Sequence, residues 1–407
     1  MYTAIAVAID NSPCSEYAES LALQIARPEK IPVTGVHAYT GTFHQARFQA
    51  LEPHLPEKYQ AEDVLGHQRD IHSVLIGRGL ELISLEYMKR LGDACRAFGI
   101  PFTEQIVDGK NADVVIGASR AGGLTVMGAE GLGRVEGIWG LGSTTRRTLR
   151  HGNGDLLIAK KPGPIRSILA GVDGSAAAFA MIGTAADLAR SLGATLTVAA
   201  AFDPGLHRTV FGSLSATLSK EAGESFRFSE QEGLHNEIID RSLADLYSRH
   251  LKKAAAVARE HGVAAQTRLL HGKPFSALIA LAGEPGTDLI VVGHSGMHRS
   301  RYSDIGSNTE RVAELAAANV LVVRAPLTGA GTAAGTQQAG SPGPGTGSAV
   351  PGQPALVWND AAKQRLGNVP KFAQPMAVLA IERYAKEHGI TTITPEVMQA
   401  AREKIGR

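Results

Sequence analysis

The sequence predicts an α/β protein: two tandem domains, each a five-stranded parallel sheet covered by helices, followed by a small all-α module. Three observations predict this. The chain repeats itself at a nearly constant offset of 163 to 165 residues. Within each copy, short apolar β-rich runs alternate with longer helical patterns, the pattern of a parallel sheet buried on both faces. A stretch built almost entirely of Gly, Ala, Thr, Pro, Ser and Gln, from Thr328 to Pro354, then separates both copies from the last fifty or so residues.

The repeat comes first because it governs every later inference. Ile5–Ile9 ends at Asp10-Asn11-Ser12, and Ile168–Val172 ends at Asp173-Gly174-Ser175. Thr125–Gly128 answers Ile290–Gly293, Gly142–Thr145 answers Gly306–Thr309, and Leu156–Ala159 answers Val320–Val323. These matches divide the chain into residues 1–162, 163–326, a linker at 327–354 that cannot bury enough apolar surface to order itself, and a module at 355–407.

In copy two the expected strands are Ile168–Asp173, Ala194–Ala200, Ala265–Leu270, Asp288–Gly293 and Val320–Val323, with helices starting near Ala176, Asn236, Pro274 and Gly306. The helix from Asn236 to Glu260 places Ile239, Leu243, Leu246, Leu251 and Ala254 on one stripe, which reads as core or dimer contact. Copy one repeats the order. Each copy also carries an insertion after its second strand, at about Gly41–Gly79 and Gly205–His235, rich in His, Glu, Gln and aromatic residues and expected to fold partly as helix. Past the linker, Val378, Leu379, Ile381, Tyr384 and Ala385 follow a helical pattern, Gly389 stops it, and Thr394-Pro395 starts another helix.

Composition narrows the function. The 41 Lys and Arg residues against 39 Asp and Glu give a net charge of +2 with no basic block, which argues against nucleic acid as a partner. Two cysteines, Cys14 and Cys95, are too few for a disulfide framework, a four-cysteine zinc site or an iron–sulfur cluster. The chain opens without a basic leader and holds no apolar run of the ~18–20 residues a membrane span needs, so a cytoplasmic protein with no membrane partner is expected.

In open parallel sheets ligands bind beyond the carboxyl ends of the strands, which directs attention to the loops after strands one and four. After strand four of copy two the chain reads Gly293-His-Ser-Gly296, nine further residues, then Gly306-Ser307-Asn308-Thr309 opening a helix. Glycines let backbone approach a phosphate, and a helix start favours an anion. The spacing is neither a Walker loop nor a dinucleotide turn.

That spacing, with Asp-Gly-Ser after the first strand, resembles the universal stress protein family of the ATP-binding type, over residues 1–326. The resemblance implies a Rossmann-like, adenine nucleotide alpha-hydrolase-like fold and ATP, ADP or AMP as ligand, with Mg²⁺ as a companion to the phosphates. It implies that Asp173 sits by the adenosine, that Gly293 and Gly296 line the phosphate turn, and that Gly306, Ser307, Asn308 and Thr309 hold the phosphates. It also implies that the two copies form an internal pseudo-dimer through Leu156–Ala159 and Val320–Val323. The alternative is that the glycines only make tight turns.

Copy one departs from this pattern. Gly128-Ala-Glu-Gly131 is followed by ten residues before Gly142-Ser143-Thr144-Thr145, and its loop carries Glu130 and Glu136, which would repel a triphosphate. Asp10, Gly128, Gly131, Gly142, Ser143 and Thr145 are therefore a candidate second nucleotide site, with a purely structural role as the alternative.

The tail, with Trp358, Leu366, Phe372, Glu382–Gly389 and Ile393–Met398, resembles the small C-terminal helical module of the light-independent protochlorophyllide reductase B subunit. The resemblance carries the fold and not the activity, and a protein-docking role is expected, with Trp358 and Phe372 as natural contacts for a flat apolar molecule. His294 and His298 fall in the glycine loop and read as solvated rather than as metal ligands, and no metal site is expected. Cys14, near a helix start, and Cys95, in an apolar helix pattern, read as structural.

No catalytic set is recognisable. The expected function is an adenine-nucleotide-binding regulatory protein whose nucleotide state governs a partner. The alternatives are a slow ATP hydrolase or nucleotide-dependent transferase using Asp173 and Ser307, and a nucleotide-free dimerising scaffold.

Overall fold

The computed structural model describes residues 2–133, 140–203, 240–284, 286–297 and 304–324, and in the C-terminal module residues 357–367, 390–405 and six positions between 378 and 388. The second insertion, the linker, and with them Glu136, His298 and Phe372, lie outside the described residues. The body and the C-terminal module are separate units.

In copy one the strands are β1 (Ile5–Ala8), β2 (Val33–Tyr39), β3 (Phe102–Asp108), β4 (Leu124–Gly128) and β5 (Asp155–Ala159). The helices between them are α1 (Pro13–Ala26), α2 (Gly41–Leu51), α3 (Glu62–Ala97), α4 (Asn111–Ala118) and α5 (Ser143–His151). Copy two has β6 (Ser167–Gly171), β7 (Thr195–Phe202), β8 (Ala265–His271), β9 (Leu289–Gly293) and β10 (Asn319–Val323). Its helices are α6 (Ala176–Leu192), α7 (Asp240–Glu260), α8 (Pro274–Gly283) and α9 (Ser307–Leu315). The first insertion folds as α2 and the front of α3, as its composition predicted.

The two expected five-stranded sheets are halves of one ten-stranded sheet in the order β3-β2-β1-β4-β5-β10-β9-β6-β7-β8. Every neighbouring pair is parallel except β5 with β10, where Leu156, Leu157 and Ile158 oppose Val322, Leu321 and Val320. This is the expected pseudo-dimer seam. Alternation of side chains along the strands sends Leu157 and Leu321 to one face and Leu156, Ile158, Val320 and Val322 to the other. Each face thus carries one apolar core running across both copies. In α7, Leu251 and Ala254 are buried, but Leu246 is exposed, so the expected stripe is narrower than its pattern suggested.

At the outer ends of the seam, the first residue past each central strand reaches into the other copy. Lys160 Nζ donates to the carbonyls of Ala316 (2.6 Å) and Glu314 (3.3 Å) at the end of α9. Arg324 donates to those of Leu149 (2.8 Å) and Arg150 (3.2 Å) in the last turn of α5. Both contacts satisfy carbonyls that a helix end leaves open, with a cation at the negative end of the dipole.

In the C-terminal module, α10 (Asp360–Gly367) and α11 (Pro395–Ile405) enclose a small core of Ala362, Ile381, Ala385, Ile393, Met398 and Ala401. The expectation of an all-α module needs correcting. Val357–Trp358 (β11) pairs in parallel with Thr392–Ile393 (β12). Two-residue strands carry too little periodicity to be read from sequence.

Candidate functional site

Each copy carries a cavity beyond the carboxyl ends of its strands. In copy two it begins at Asp173, two residues past β6. One carboxylate oxygen accepts the Ser175 amide (3.0 Å) and the other the Met297 amide (2.6 Å), tying the loop after β6 to the glycine loop after β9. A Cβ on Gly296 would stand 2.3 Å from Asp173 Oδ2, so any side chain there would push the carboxylate off its amides. Gly174 adopts φ of 87°, and a Cβ on it would meet the His250 ring at 2.2 Å. Ser175 caps α6 by accepting the Ala178 amide (3.1 Å).

The far end of the glycine loop is tied as firmly. The Gly306 amide donates to the His294 carbonyl (3.0 Å), and the His294 amide to the Val323 carbonyl (2.8 Å). Thr309, buried in the first turn of α9, donates its hydroxyl to the Gly293 carbonyl (2.6 Å). Thr309 therefore fixes the turn from below, while Ser307 and Asn308 line the cavity beside it. Gly306 caps α9 without a side chain, which leaves first-turn amides for a ligand to use.

The cavity has a volume of about 360 Å³. Its apolar wall includes Val172, Ala199, Ala201, Tyr247, Phe275 and Leu278, and its polar rim is the glycine loop and the α9 start. Burial, and secondarily the Asp173 charge, push the Tyr247 hydroxyl above its usual pKa, so it stays protonated at neutral pH. Burial lowers that of His250, on the same helix face.

Copy one repeats this frame closely. Asp10 accepts the Ser12 amide (3.0 Å) and the Leu132 amide (3.2 Å), and a Cβ on Gly131 would stand 2.4 Å from its Oδ2. Thr145 donates to the Gly128 carbonyl (2.8 Å), and the Gly142 amide to the Ala129 carbonyl (2.8 Å). Asn11, the counterpart of Gly174, holds the same left-handed conformation at φ of 61°. The extra residue between Gly131 and Gly142 is thus taken up without releasing either anchor.

The contents of the two cavities differ. That of copy one is larger, about 580 Å³, and Glu130 stands where copy two has Ser295. Asn111 and Val115 replace Pro274 and Leu278, Ala112 replaces Phe275, and His37, held to the Ile9 carbonyl (2.5 Å), occupies the floor. Gly128 serves packing here, since a Cβ would lie 2.9 Å from the Cys14 carbonyl carbon. Ser143 and Arg146 line this cavity from α5.

Residues 1–160 and 164–324 each match the model of the universal stress protein family. The chain belongs to the universal stress protein family. A universal stress protein of Mycobacterium tuberculosis is 28% identical over 332 residues, covering 80% of this chain and 97% of that one. A second, from Methanocaldococcus jannaschii, is 36% identical over 90 residues, which span 22% of this chain and about half, 53%, of the relative. The crystal structure of a universal stress protein from Archaeoglobus fulgidus shares the fold with a TM-score of 0.50 at 16% identity, covering 80% of this chain and 99% of that one. Residues 358–402 match the model of the proto-chlorophyllide reductase 57 kD subunit. The B component of light-independent protochlorophyllide reductase from a Synechococcus species is 41% identical over 51 residues, 12% of this chain and 10% of that protein.

Within this universal stress protein, Asp173, Gly293, Gly296, Gly306, Ser307, Asn308 and Thr309 all gather at one cavity, and Asp10, Gly128, Gly131, Gly142, Ser143 and Thr145 at the other. Sequence reasoning passed over Tyr247, whose only signal was its place on the α7 stripe beside Leu243 and Leu251. In the C-terminal module the Trp358 indole packs on the small core and donates to Glu382 (3.2 Å), so much of its surface serves the fold. Cys95 is buried and its thiol pushed up to about 11 by that burial, which keeps it unreactive. No helix among the described residues is long and apolar enough to cross a membrane.

Proposed function

We propose that copy two binds an adenine nucleotide, ATP or its AMP and ADP relatives, as a regulatory ligand, and that the bound state governs engagement of a protein partner through the C-terminal module. The observation that carries the reading is the Asp173 clamp. One carboxylate pins the glycine loop so that a ring-sized apolar cavity and a helix start with open amides share one mouth. An adenine would lie against Val172, Ala199, Tyr247 and Phe275, and phosphates would meet the Gly293–Gly296 turn with Ser307 and Asn308. Both oxygens of Asp173 already accept backbone amides, which favours a binding role for it over that of a general base. Among the described residues no group of three or more His, Cys, Asp or Glu could hold a metal, so Mg²⁺ would be carried chiefly by the phosphates.

The test is to quench purified protein in acid, identify released nucleotide by chromatography and mass, and count moles per chain. The expected result is close to one adenine nucleotide per chain, falling at least tenfold in Gly296→Val, whose side chain would displace Asp173. Absence of nucleotide, with no binding when ATP and Mg²⁺ are supplied, would leave the scaffold reading in its place.

A further inference from the structure

The seam between the copies carries a charge pattern that its backbone pairing does not require. Helices α5 and α9 occupy equivalent places in the two copies, so Arg146 corresponds to Glu310 and Arg150 to Glu314. Across the seam Arg146 pairs with Glu314 (3.3 Å) and Arg150 with Glu310. These two ion pairs are images of each other under the exchange of copies. Both positions are basic in copy one and both are acidic in copy two.

Of the other polar contacts at the seam, the Lys161–Asp288 ion pair (3.5 Å) has the same sign order but no image under the exchange of copies, its counterpart positions being Ala325 and Gly123, and the rest lack this segregation. Lys160 and Arg324 each cap the opposite helix, and either cation would do so whichever copy it faced. Asn319 Oδ1 accepts the Lys160 amide (2.8 Å) and Asp155 Oδ1 the Arg324 amide (2.8 Å), again a contact either acceptor could make. The four helix residues are different. If two copy-one faces met, Arg146 would oppose Arg150 twice, and if two copy-two faces met, Glu310 would oppose Glu314 twice.

A second observation comes from the helices themselves. Arg146 sits in the first turns of α5 and Glu314 in the last turn of α9, each the wrong sign for the dipole at its position. A residue that works against its own helix is explained by a partner elsewhere, and here each is the other's partner.

We propose that Arg146, Arg150, Glu310 and Glu314 decide which copies can face each other. They admit unlike copies and reject like ones, so that the seam closes within one chain rather than through the matching face of a second chain. The side chains are part-buried, between 28% and 47% exposed, so their mutual repulsion in a wrong pairing would be only partly screened.

The full chain tests this directly, because reversing one helix reproduces the charge pattern of a like pairing. R146E/R150E sets acid against acid, and E310R/E314R sets base against base. In low-salt buffer each double variant is expected to melt about 3 °C below wild type. The fourfold exchange, with the signs swapped across the seam, is expected to recover to within about 1 °C of wild type. In 1 M NaCl the deficits of the double variants should fall by more than half, since the Debye length shrinks to about 3 Å. Double variants that melt with wild type, a fourfold exchange no more stable than the weaker double, or deficits insensitive to salt would each overturn the proposal. If a double variant fails to fold, recovery in the fourfold exchange still supports it, and failure of the exchange still sinks it.

Discussion

The two cavities of this protein share a frame and differ in contents. In both, an aspartate after the first strand of the copy holds two backbone amides, a glycine is forced by that aspartate's oxygen, and a buried threonine holds the carbonyl of the preceding turn. What has changed is what a ligand would touch. Copy two presents Tyr247, Phe275, Leu278 and Ser295, and copy one presents His37, Asn111, Val115 and Glu130. The comparison separates two roles that one motif combines. The aspartate, glycine and threonine build the turn whether or not anything binds. The lining decides whether something does.

Removing the aspartates one at a time tests this division of roles most severely. Asp10→Ala and Asp173→Ala each strand two amides, and hydrogen bonds to a charged acceptor are worth about 1.5–3 kcal/mol apiece before relaxation and water offset part of the loss. Both variants are expected to lose about 2 kcal/mol in denaturant unfolding. Only Asp173→Ala should lose bound nucleotide. A matching loss in Asp10→Ala would mean that copy one is also a site and that Glu130 is no barrier.

A smaller effect, of opposite sign, sharpens the point. Glu130→Ser gives copy one the residue of copy two and removes a carboxylate from beside the helix start. At protein-surface dielectric this repulsion is on the order of 1–3 kcal/mol, so isothermal titration with ATP should find a second site strengthened about tenfold or more. If no second site appears, the smaller apolar wall or the extra loop residue closes copy one, rather than charge.

Much of this frame was legible in the sequence. A constant repeat offset and strand-length apolar runs located five strands in each copy but not their order across the sheet, and Leu156–Ala159 facing Val320–Val323 followed from resemblance and proved to be the antiparallel seam. The gathering of those glycines and aspartates at one cavity in each copy was legible from their places after strands one and four. Their roles were less so. Thr309 read as a phosphate ligand, yet its hydroxyl is spent on the Gly293 carbonyl, a contact sixteen residues back along the chain that spacing cannot reveal. The charges on α5 and α9 were invisible for the same reason: each helix alone looks solvated, and the partner of each residue lies about 160 residues away.

The seam supplies the smallest and most specific contrast, between the two cations that cap across it. Burial lowers Lys160 to about 8, and its counterpart Arg324, although also lowered by burial, keeps its charge throughout the working range. The unfolded chain holds the Lys160 proton up to about pH 10.4, so between pH 8 and that value the unfolded state binds more protons than the folded one. Stability therefore gains from this group as pH rises through 8 and loses the gain as pH falls back. Burial of Cys95 acts oppositely once its unfolded thiol ionises, near pH 8.5 to 9. Lys160→Arg keeps a cation over the α9 carbonyls and removes the titration, while leaving Cys95 untouched. The difference in unfolding free energy between wild type and Lys160→Arg should thus move by up to about 1 kcal/mol in favour of wild type from pH 7.5 to 9, and a flat difference would place the Lys160 proton at the same affinity in both states.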